Sequence, residues 1–433
     1  MRHSLSRALP RRATVHRRHQ HRRHRRWCIA IAAACSALVP CLAFGEGLSY
    51  AEALAVARND APSLRAADAA LVGATAARPA AGTLPDPRLL AGIENLPVTG
   101  PDSFSTTRDP MTMQRIGLMQ EVPSSARREA QQRAADARIA RERAARAQAA
   151  LGVQRDAGIA WLGVYWAEQR SRLLDALRQT NRLLQQTLPA RIAAGQAAPV
   201  ELTLARQEAL AIEDRADELA GETRRARAEL RRWVGARADE PLLGSAALPA
   251  PDPDQLRASV ARQAEIAAYS PLRDMAAAEM AEADADRHGG GWAWELAYSR
   301  RPNYDDMVSV QLSFDLPWQR ETRLQPRVEA KRQEVERIEA ERDELLRRRS
   351  AELEAMLAES ATLQAQLARL QGPALALAEE RSALALAAYQ SGRGDLAAVI
   401  TARAQAAELM LRAAEIELRR DTLRVRLNTL NDK

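Results

Sequence analysis

The chain has 433 residues, of which 46% are apolar, 27% charged and only 4% aromatic. That balance excludes a disordered chain, and with Ala, Arg, Leu and Glu dominant it is the composition of long helices, not of a sandwich or a compact α/β enzyme. The net charge of +7 rests on the first 26 residues, which hold ten arginines and no acid; without them the balance is −3, so the body gives no case for nucleic acid.

The basic stretch is followed by an apolar run from Trp27 to Phe44 and then by Gly45-Glu46-Gly47. This order predicts a secretory signal peptide over 1–45. A single membrane anchor is the other reading, because the run is near the lower limit for a span. Cys28, Cys35 and Cys41 all lie in the run, and five of the six histidines precede it. Neither Leu38-Val-Pro-Cys41 nor Ala32-Ala-Ala-Cys35 is a good lipid-acceptor pattern. A chain cut near Gly45 keeps only His288, which removes disulfides, thiolate catalysis and Cys/His metal sites.

Downstream, the pattern predicts a helix over 48–81, strands over 87–97 and 111–122, a long helix over 124–194 and a helix over 199–234. Segment 235–253, with Pro249-Ala-Pro-Asp-Pro253, reads as a linker. A helix over 254–287, strands over 292–300 and 307–316, a long helix over 319–391 and a helix over 395–430 follow. The same parts recur in the same order, so 46–234 reads as repeat one and 254–433 as repeat two. Met113-Gln-Arg-Ile-Gly-Leu-Met-Gln-Glu-Val-Pro123 matches Met307-Val-Ser-Val-Gln-Leu-Ser-Phe-Asp-Leu-Pro317. Ala190-Arg-Ile-Ala-Ala-Gly195 matches Ala387-Ala-Tyr-Gln-Ser-Gly392, and Asn59-Asp-Ala-Pro62 matches Ala268-Tyr-Ser-Pro271. Pro123 and Pro317 open the long helices, where a missing N–H costs least. Pro189 and Pro373 should kink them. At 1.5 Å per residue each long helix spans roughly 105 Å, the length of the two shorter helices of its repeat laid end to end. A free-standing antiparallel coiled coil fits these lengths too.

The strands favour a membrane. Trp292, Trp294, Leu296 and Tyr298 alternate with Ala293, Glu295 and Ala297. Val308, Val310, Leu312, Phe314 and Leu316 alternate with Ser309, Gln311, Ser313 and Asp315. Such alternation over about ten residues fits strands with one face in lipid, although a half-buried soluble hairpin shares it. Gln120 interrupts the Ile116, Leu118, Val122 face. Open edges are not tolerated in lipid and single-chain barrels start at about eight strands, so four strands require pooling from several chains.

The duplicated strand–strand–long-helix unit and its turn glycines resemble the TolC-like outer-membrane factors. The run from Leu84-Pro-Asp-Pro-Arg88 through Ile93-Glu-Asn-Leu-Pro-Val-Thr-Gly-Pro-Asp102 to Pro123 is similar to the heavy-metal subgroup of the CzcC and CusC kind. The resemblance covers 48–431. It implies a mainly α fold with internal duplication, whose long antiparallel helices form a periplasmic α-barrel. Four strands per chain would contribute to a trimeric, twelve-stranded β-barrel in the outer membrane of a Gram-negative bacterium. It implies a passive exit duct for heavy-metal cations, no enzyme and no cofactor. Its partners would be a homotrimer's other copies, outer-membrane lipid, a periplasmic adaptor (membrane fusion) protein and an inner-membrane RND transporter. The same channel serving drugs or type I secretion, and a soluble periplasmic coiled-coil scaffold or adaptor, are the alternatives.

The resemblance places adaptor docking at the tip turns: Gly195, Gln196, Ala197, Gly392, Arg393, Gly394 and Asp395. In the family, aspartates six and nine positions past the second glycine constrict the tip. Here those positions are Ala398 and Thr401, so that role does not transfer. Glu201, Arg206 and Arg403 are the neighbouring aperture candidates. Trp292, Trp294, Val308, Val310, Leu312 and Phe314 are the expected lipid-facing set. His288 reads as a helix cap rather than a metal ligand. Met111, Met113 and Met119 read as lipid-facing or packing residues rather than soft-metal donors. Trp161, Tyr165 and Trp166 read as inter-helix packing, and Asp305–Asp306 as a solvated loop tip. No nucleophile elbow, phosphate loop or paired-carboxylate pocket is apparent.

Overall fold

The computed structural model describes residues 47–431. The leader expected over 1–45, with its cysteines, lies outside the described residues. A two-residue strand β1 (Leu48–Ser49) leads into α1 (Tyr50–Asp60) and α2 (Pro62–Ala77). The single helix expected over 48–81 is thus two. Pro62 holds Ala61 extended at φ −60°, ψ 120°, since the residue before proline is pushed out of the helical region. Ser49 and Glu52 form a capping box that fixes the start of α1.

Two strands follow, β2 (Arg88–Glu94) and β3 (Met113–Val122), then the 69-residue α3 (Ser125–Ala193) and α4 (Pro199–Val234). Strand β2 is shorter than the expected 87–97 because Asn95 turns at φ 53°. Helix α3 continues through Pro189 without a break. Linker 235–253 is not featureless: Gly235–Asp239 is a 3₁₀ turn, and β4 (Leu242–Leu243) pairs in parallel with β1.

The helix expected over 254–287 is broken into α5 (Pro253–Ser259), a 3₁₀ turn, α6 (Ala264–Ala267) and α7 (Tyr269–His288). Gln263 is extended, and Pro271 in the first turn of α7 has no N–H for the carbonyl of Ala267, so the helix restarts. Strands β5 (Trp292–Arg300) and β6 (Met307–Phe314) come next; the latter ends two residues before the expected 316. The helix expected over 319–391 is a π-type turn at Arg320–Leu324, then α8 (Gln325–Arg369), a second π-type turn at Leu370–Ala374, and α9 (Leu375–Gln390). Pro317 to Gly392 is three residues longer than Pro123 to Gly195. Wide turns of this kind take up extra residues without ending a helix. Helix α10 (Leu396–Asn431) closes the chain.

Along α3 the shorter helices lie end to end. Arg78 and Asp68 of the α2 end pair with Asp136 and Arg146, while Glu222 and Glu213 of α4 pair with Arg170 and Arg178 further along. Where the short helices meet, Leu48, Trp161, Leu162, Val164, Leu230, Val234 and Val425 form a buried cluster. Trp161 stacks on Tyr165 at 5.3 Å, meets Tyr50 edge-on at 5.5 Å and donates its Nε1–H to Leu48 O at 3.1 Å. Trp166 donates across to the buried Asp421 of α10 at 3.1 Å. The packing expected of these aromatics is therefore present. A second cluster joins α5, α6, α8 and α10 around Leu256, Ile266, Leu353, Leu367 and Leu427.

The four long strands form one antiparallel sheet in the order β2-β3-β5-β6. Residues directly opposite share a face, so the register sorts the sheet into two sides. On one side lie rows such as Leu89–Leu118–Leu296–Val310 and Ala91–Ile116–Tyr298–Val308. Leu89, Val308, Val310, Leu312 and Phe314 there are all more than half exposed. On the other side Arg115 pairs with Glu94 and with Glu295, and Arg88 pairs with Glu121 at 3.1 Å. Beside them lie Ser299, Ser309, Gln311 and Ser313. Gly117 belongs to this side because a Cβ would stand 3.1 Å from Ala297 Cβ and from the Glu295 carboxylate. Gln120, on the apolar side opposite Trp294, turns its amide back to Pro85 O and Glu121 O. At the sheet end, Asn303 Nδ2 donates to Thr107 O at 2.8 Å and ties the two connecting loops together. Among the described residues, no helix is long and apolar enough to cross a membrane.

Candidate functional site

The turns after α3 and α9 stand at the opposite end of the long helices from the sheet, roughly 100 Å away by the helix rise. Both close in the same way. Gly195 has φ +71° and Gly392 φ +72°. Gln196 N–H bonds Arg191 O at 2.8 Å and Gly195 N–H bonds Ile192 O; Arg393 N–H bonds Ala388 O at 2.9 Å and Gly392 N–H bonds Tyr389 O. These are the paired bonds of a Schellman turn, which requires a left-handed residue that glycine supplies without a Cβ penalty. Glu201 reaches back to Ala198 N–H at 2.9 Å to open α4, and the Asp395 carboxylate accepts from Ala398 N–H at 2.8 Å to open α10.

The two turns are brought together. Leu188 and Ala205 pack with Tyr389, Leu396 and Val399 in one buried cluster. At its edge the Tyr389 hydroxyl donates to the Glu201 carboxylate. The Arg191 guanidinium stands 4.5 Å above the same ring. Burial first, and the bond to Glu201 second, push the Tyr389 phenol up to about 12, so it stays a donor. One tyrosine thus ties the first half of the chain to the second. Tyr389 and Arg191 were not among the residues expected here. The signal was present, because Tyr389 is the single aromatic between Leu375 and Asn431.

Of the docking candidates, Gly195, Gln196, Gly392, Arg393, Gly394 and Asp395 are exposed, and Ala197 is half-buried against the cluster. Gly394 has a steric reason as well, since a Cβ would stand 3.1 Å from Ala388 Cβ. Among the aperture candidates, Glu201 is the one engaged across the halves. Arg206, Ala398 and Thr401 are exposed, and Thr401 bonds back to Ala397 O. Arg403 is half-buried in an open cleft of about 430 Å³ between α3, α9 and α10.

The strand candidates Trp292, Trp294, Val308, Val310, Leu312 and Phe314 share the apolar side of the sheet. Of the two readings of the methionines, lipid-facing or packing, the sheet excludes the first for Met113 and Met119, which are half-buried. Met113 and Met119 sit on the polar side with Arg115 and Glu121, as does Met307, while Met111 is exposed in the loop before β3. The alternation with Ile116 and Leu118 leaves them no other side. His288 ends α7 and bonds Asp284 O through Nδ1 at 2.8 Å. Asp306 accepts from the Tyr298 hydroxyl and from Arg301 N–H, so it braces its loop rather than standing free. Among the described residues no group of three or more His, Cys, Asp or Glu is placed to hold a metal ion.

No family model matches the chain, and no curated relative does. Solved structures do. The crystal structure of CusC, described for its transmembrane channel formation, superposes with a TM-score of 0.73 over 89% of this chain and 92% of that one, at 14% identity. The outer membrane protein VceC from Vibrio cholerae gives 0.72 over 88% and 96%, at 18% identity. The CmeC outer membrane channel of Campylobacter jejuni gives 0.72 over 88% and 85%, at 11% identity. The chain has the fold of these outer-membrane channels. At such identities the shared property is the fold alone.

Proposed function

We propose that this chain is one subunit of a TolC-like outer-membrane efflux channel. The observation that carries the reading is the sheet, with an exposed apolar side, a charged side and two unpaired edges, β2 and β6. An isolated sheet with those properties has no stable home in water or in lipid. Strand β6 runs antiparallel to β2, so the free edge of one copy suits the free edge of the next. Repetition of that contact closes a ring by heterologous pairing. A ring of three copies gives a twelve-stranded barrel with the apolar side in lipid and the Arg115 side lining the lumen. The helices then extend the duct into the periplasm, and the Gly195 and Gly392 turns form the end that meets a periplasmic adaptor and, through it, an inner-membrane transporter. The two repeats, 46–234 and 254–433, each supply a matching sixth of each layer of the ring. The leader over 1–45 directs export.

The duct itself is passive: energy comes from the inner-membrane partner. Heavy-metal cations are the proposed cargo, on the resemblance of the Leu84–Pro123 segment; among the described residues no group is placed to hold a metal ion. The test is direct. Purified full chain in mild detergent should run as a trimer and conduct in planar bilayers. Deleting its gene should sensitise cells to metal cations and not to organic drugs. Material that washes off membranes as a monomer would defeat the channel reading, and sensitisation to drugs alone would defeat the metal one.

A further inference from the structure

In repeat one the meeting of the short helices is plugged by aromatic rings. Trp161 is fully buried, stacks on Tyr165 and meets Tyr50 edge-on. Repeat two lacks that plug. Pro123 and Pro317 are 194 residues apart, an offset that carries Trp161 onto Ala355 and Tyr165 onto Glu359. Pro62 and Pro271 carry Tyr50 onto Ser259. Ala355 is exposed, and it lines a cleft of about 730 Å³ enclosed by α3, α6, α8 and α10. Leu151 and Ile159 of α3, Met356 of α8 and Leu430 of α10 give it an apolar wall. A Cβ at Gly152, on the same stripe of α3, would meet nothing within 4 Å.

Every carboxylate of the cleft is paired. Asp156 meets Arg155 at 2.7 Å, Glu265 accepts from Arg349 Nε at 2.9 Å, and Glu352 shares the same guanidinium. Two groups are left over. Arg426, at the α10 side, has no carboxylate partner among the described residues. Gln263, extended just before α6, is only 8% exposed. Its carbonyl accepts from Ile266 and Ala267 N–H, but its side-chain amide has no hydrogen-bond partner among the described residues. A buried amide left in that state is costly, so it marks a place where another polar group belongs.

We propose that this cleft is a binding site for an organic monoanion with a bulky apolar body, an aromatic or polycyclic carboxylate. The body would cover the apolar wall, as the indole of Trp161 fills the junction in repeat one. The carboxylate would take Arg426, and charge-assisted bonds of that kind are the stronger ones. Gln263 would offer its amide to a polar group of the body. The volume is that of a site for a drug-sized molecule. The lining comes from one chain, so the inference stands apart from the channel reading.

The probe is 1-naphthoate, beside its neutral analogue 1-naphthamide, titrated calorimetrically into the full chain held in amphipol. Naphthoate should bind saturably at one per chain, and naphthamide about tenfold more weakly. Arg426→Gln should weaken naphthoate about tenfold and leave naphthamide unchanged, while Gln263→Leu should weaken both alike. Ala355→Trp, which restores the ring of repeat one, should abolish binding of both and keep or raise the melting temperature. Should that variant fail to fold, Gly152→Leu fills the same cleft from α3. Absence of saturable binding to the native chain overturns the site. So does naphthoate binding that is unchanged in the filled variant, and an Arg426→Gln effect that is equal for the two probes overturns the assignment of the carboxylate. Bilayer conductance is read separately: a chain that binds naphthoate and never conducts sinks the channel and keeps the site.

Discussion

Lysine at position 310 and lysine at position 311 should have opposite consequences, although the two residues are neighbours in β6. Val310 is the outer member of the row Leu89–Leu118–Leu296–Val310 and is 72% exposed in the single chain. It lies near the middle of the strand, so in a barrel it faces hydrocarbon close to mid-depth. A lysine there costs about 2–4 kcal/mol per chain, or about 6–12 kcal/mol in a trimer. Per chain that is a factor of about 30 to 800 against insertion. Gln311 points to the other side, directly opposite Glu295. A lysine there meets water and a carboxylate already shared with Arg115, and its cost should be near zero. The assay is the yield of heat-modifiable trimer in the outer-membrane fraction on unheated gels. Val310→Lys should abolish most of it and Gln311→Lys should leave it close to wild type. Equal yields would refute the assignment of faces and with it the barrel.

Four further outcomes follow from the geometry. Tyr389→Phe removes the hydroxyl that joins the two halves at the tip, which should cost about 1–2 kcal/mol and lower the melting temperature of the purified protein. The phenol's value is raised from near 10 to about 12, so the Tyr389–Glu201 bond is at full strength below pH 10 and fades as pH rises toward 12; the melting-temperature difference between wild type and Tyr389→Phe should not change between pH 5 and 9. Gly152→Ala in open space on α3 should stabilise by up to about 1 kcal/mol, whereas Gly158→Ala should destabilise, because its Cβ would stand 2.7 Å from the Tyr50 hydroxyl; thermal melts of the assembled protein compare them. Trp161→Ala, at the fully buried junction of the short helices, should cost about 3–5 kcal/mol and lower the melting temperature far more than Trp318→Ala, whose side chain is exposed.

What could be read from the residues alone follows the range of the interactions involved. The faces of β5 and β6 were legible because period-two alternation is local, and the register then adds partners without changing sides. The same parity puts Met113 and Met119 beside Arg115, so of the lipid-facing and packing readings that their side-chain type allows, place in the strand leaves packing. Helix lengths were legible, helix interruptions less so. Pro62 and Pro271 were visible as matching markers, but the breaks they impose appear only when the carbonyl each leaves unpaired is followed along the chain. The two π-type turns had a numerical trace in the three extra residues between Pro317 and Gly392, although spacing alone does not say where such residues are taken up. The Tyr389–Glu201 bond spans 188 positions and depends on how two hairpins approach, so no local pattern carries it. The turn glycines and the tyrosine belong together physically: Gly392, three residues after Tyr389, closes the Schellman turn that ends α9 and fixes the ring on the side facing α4. A turn that local chemistry specifies thereby aims a contact that local chemistry does not, and the tip is built from both.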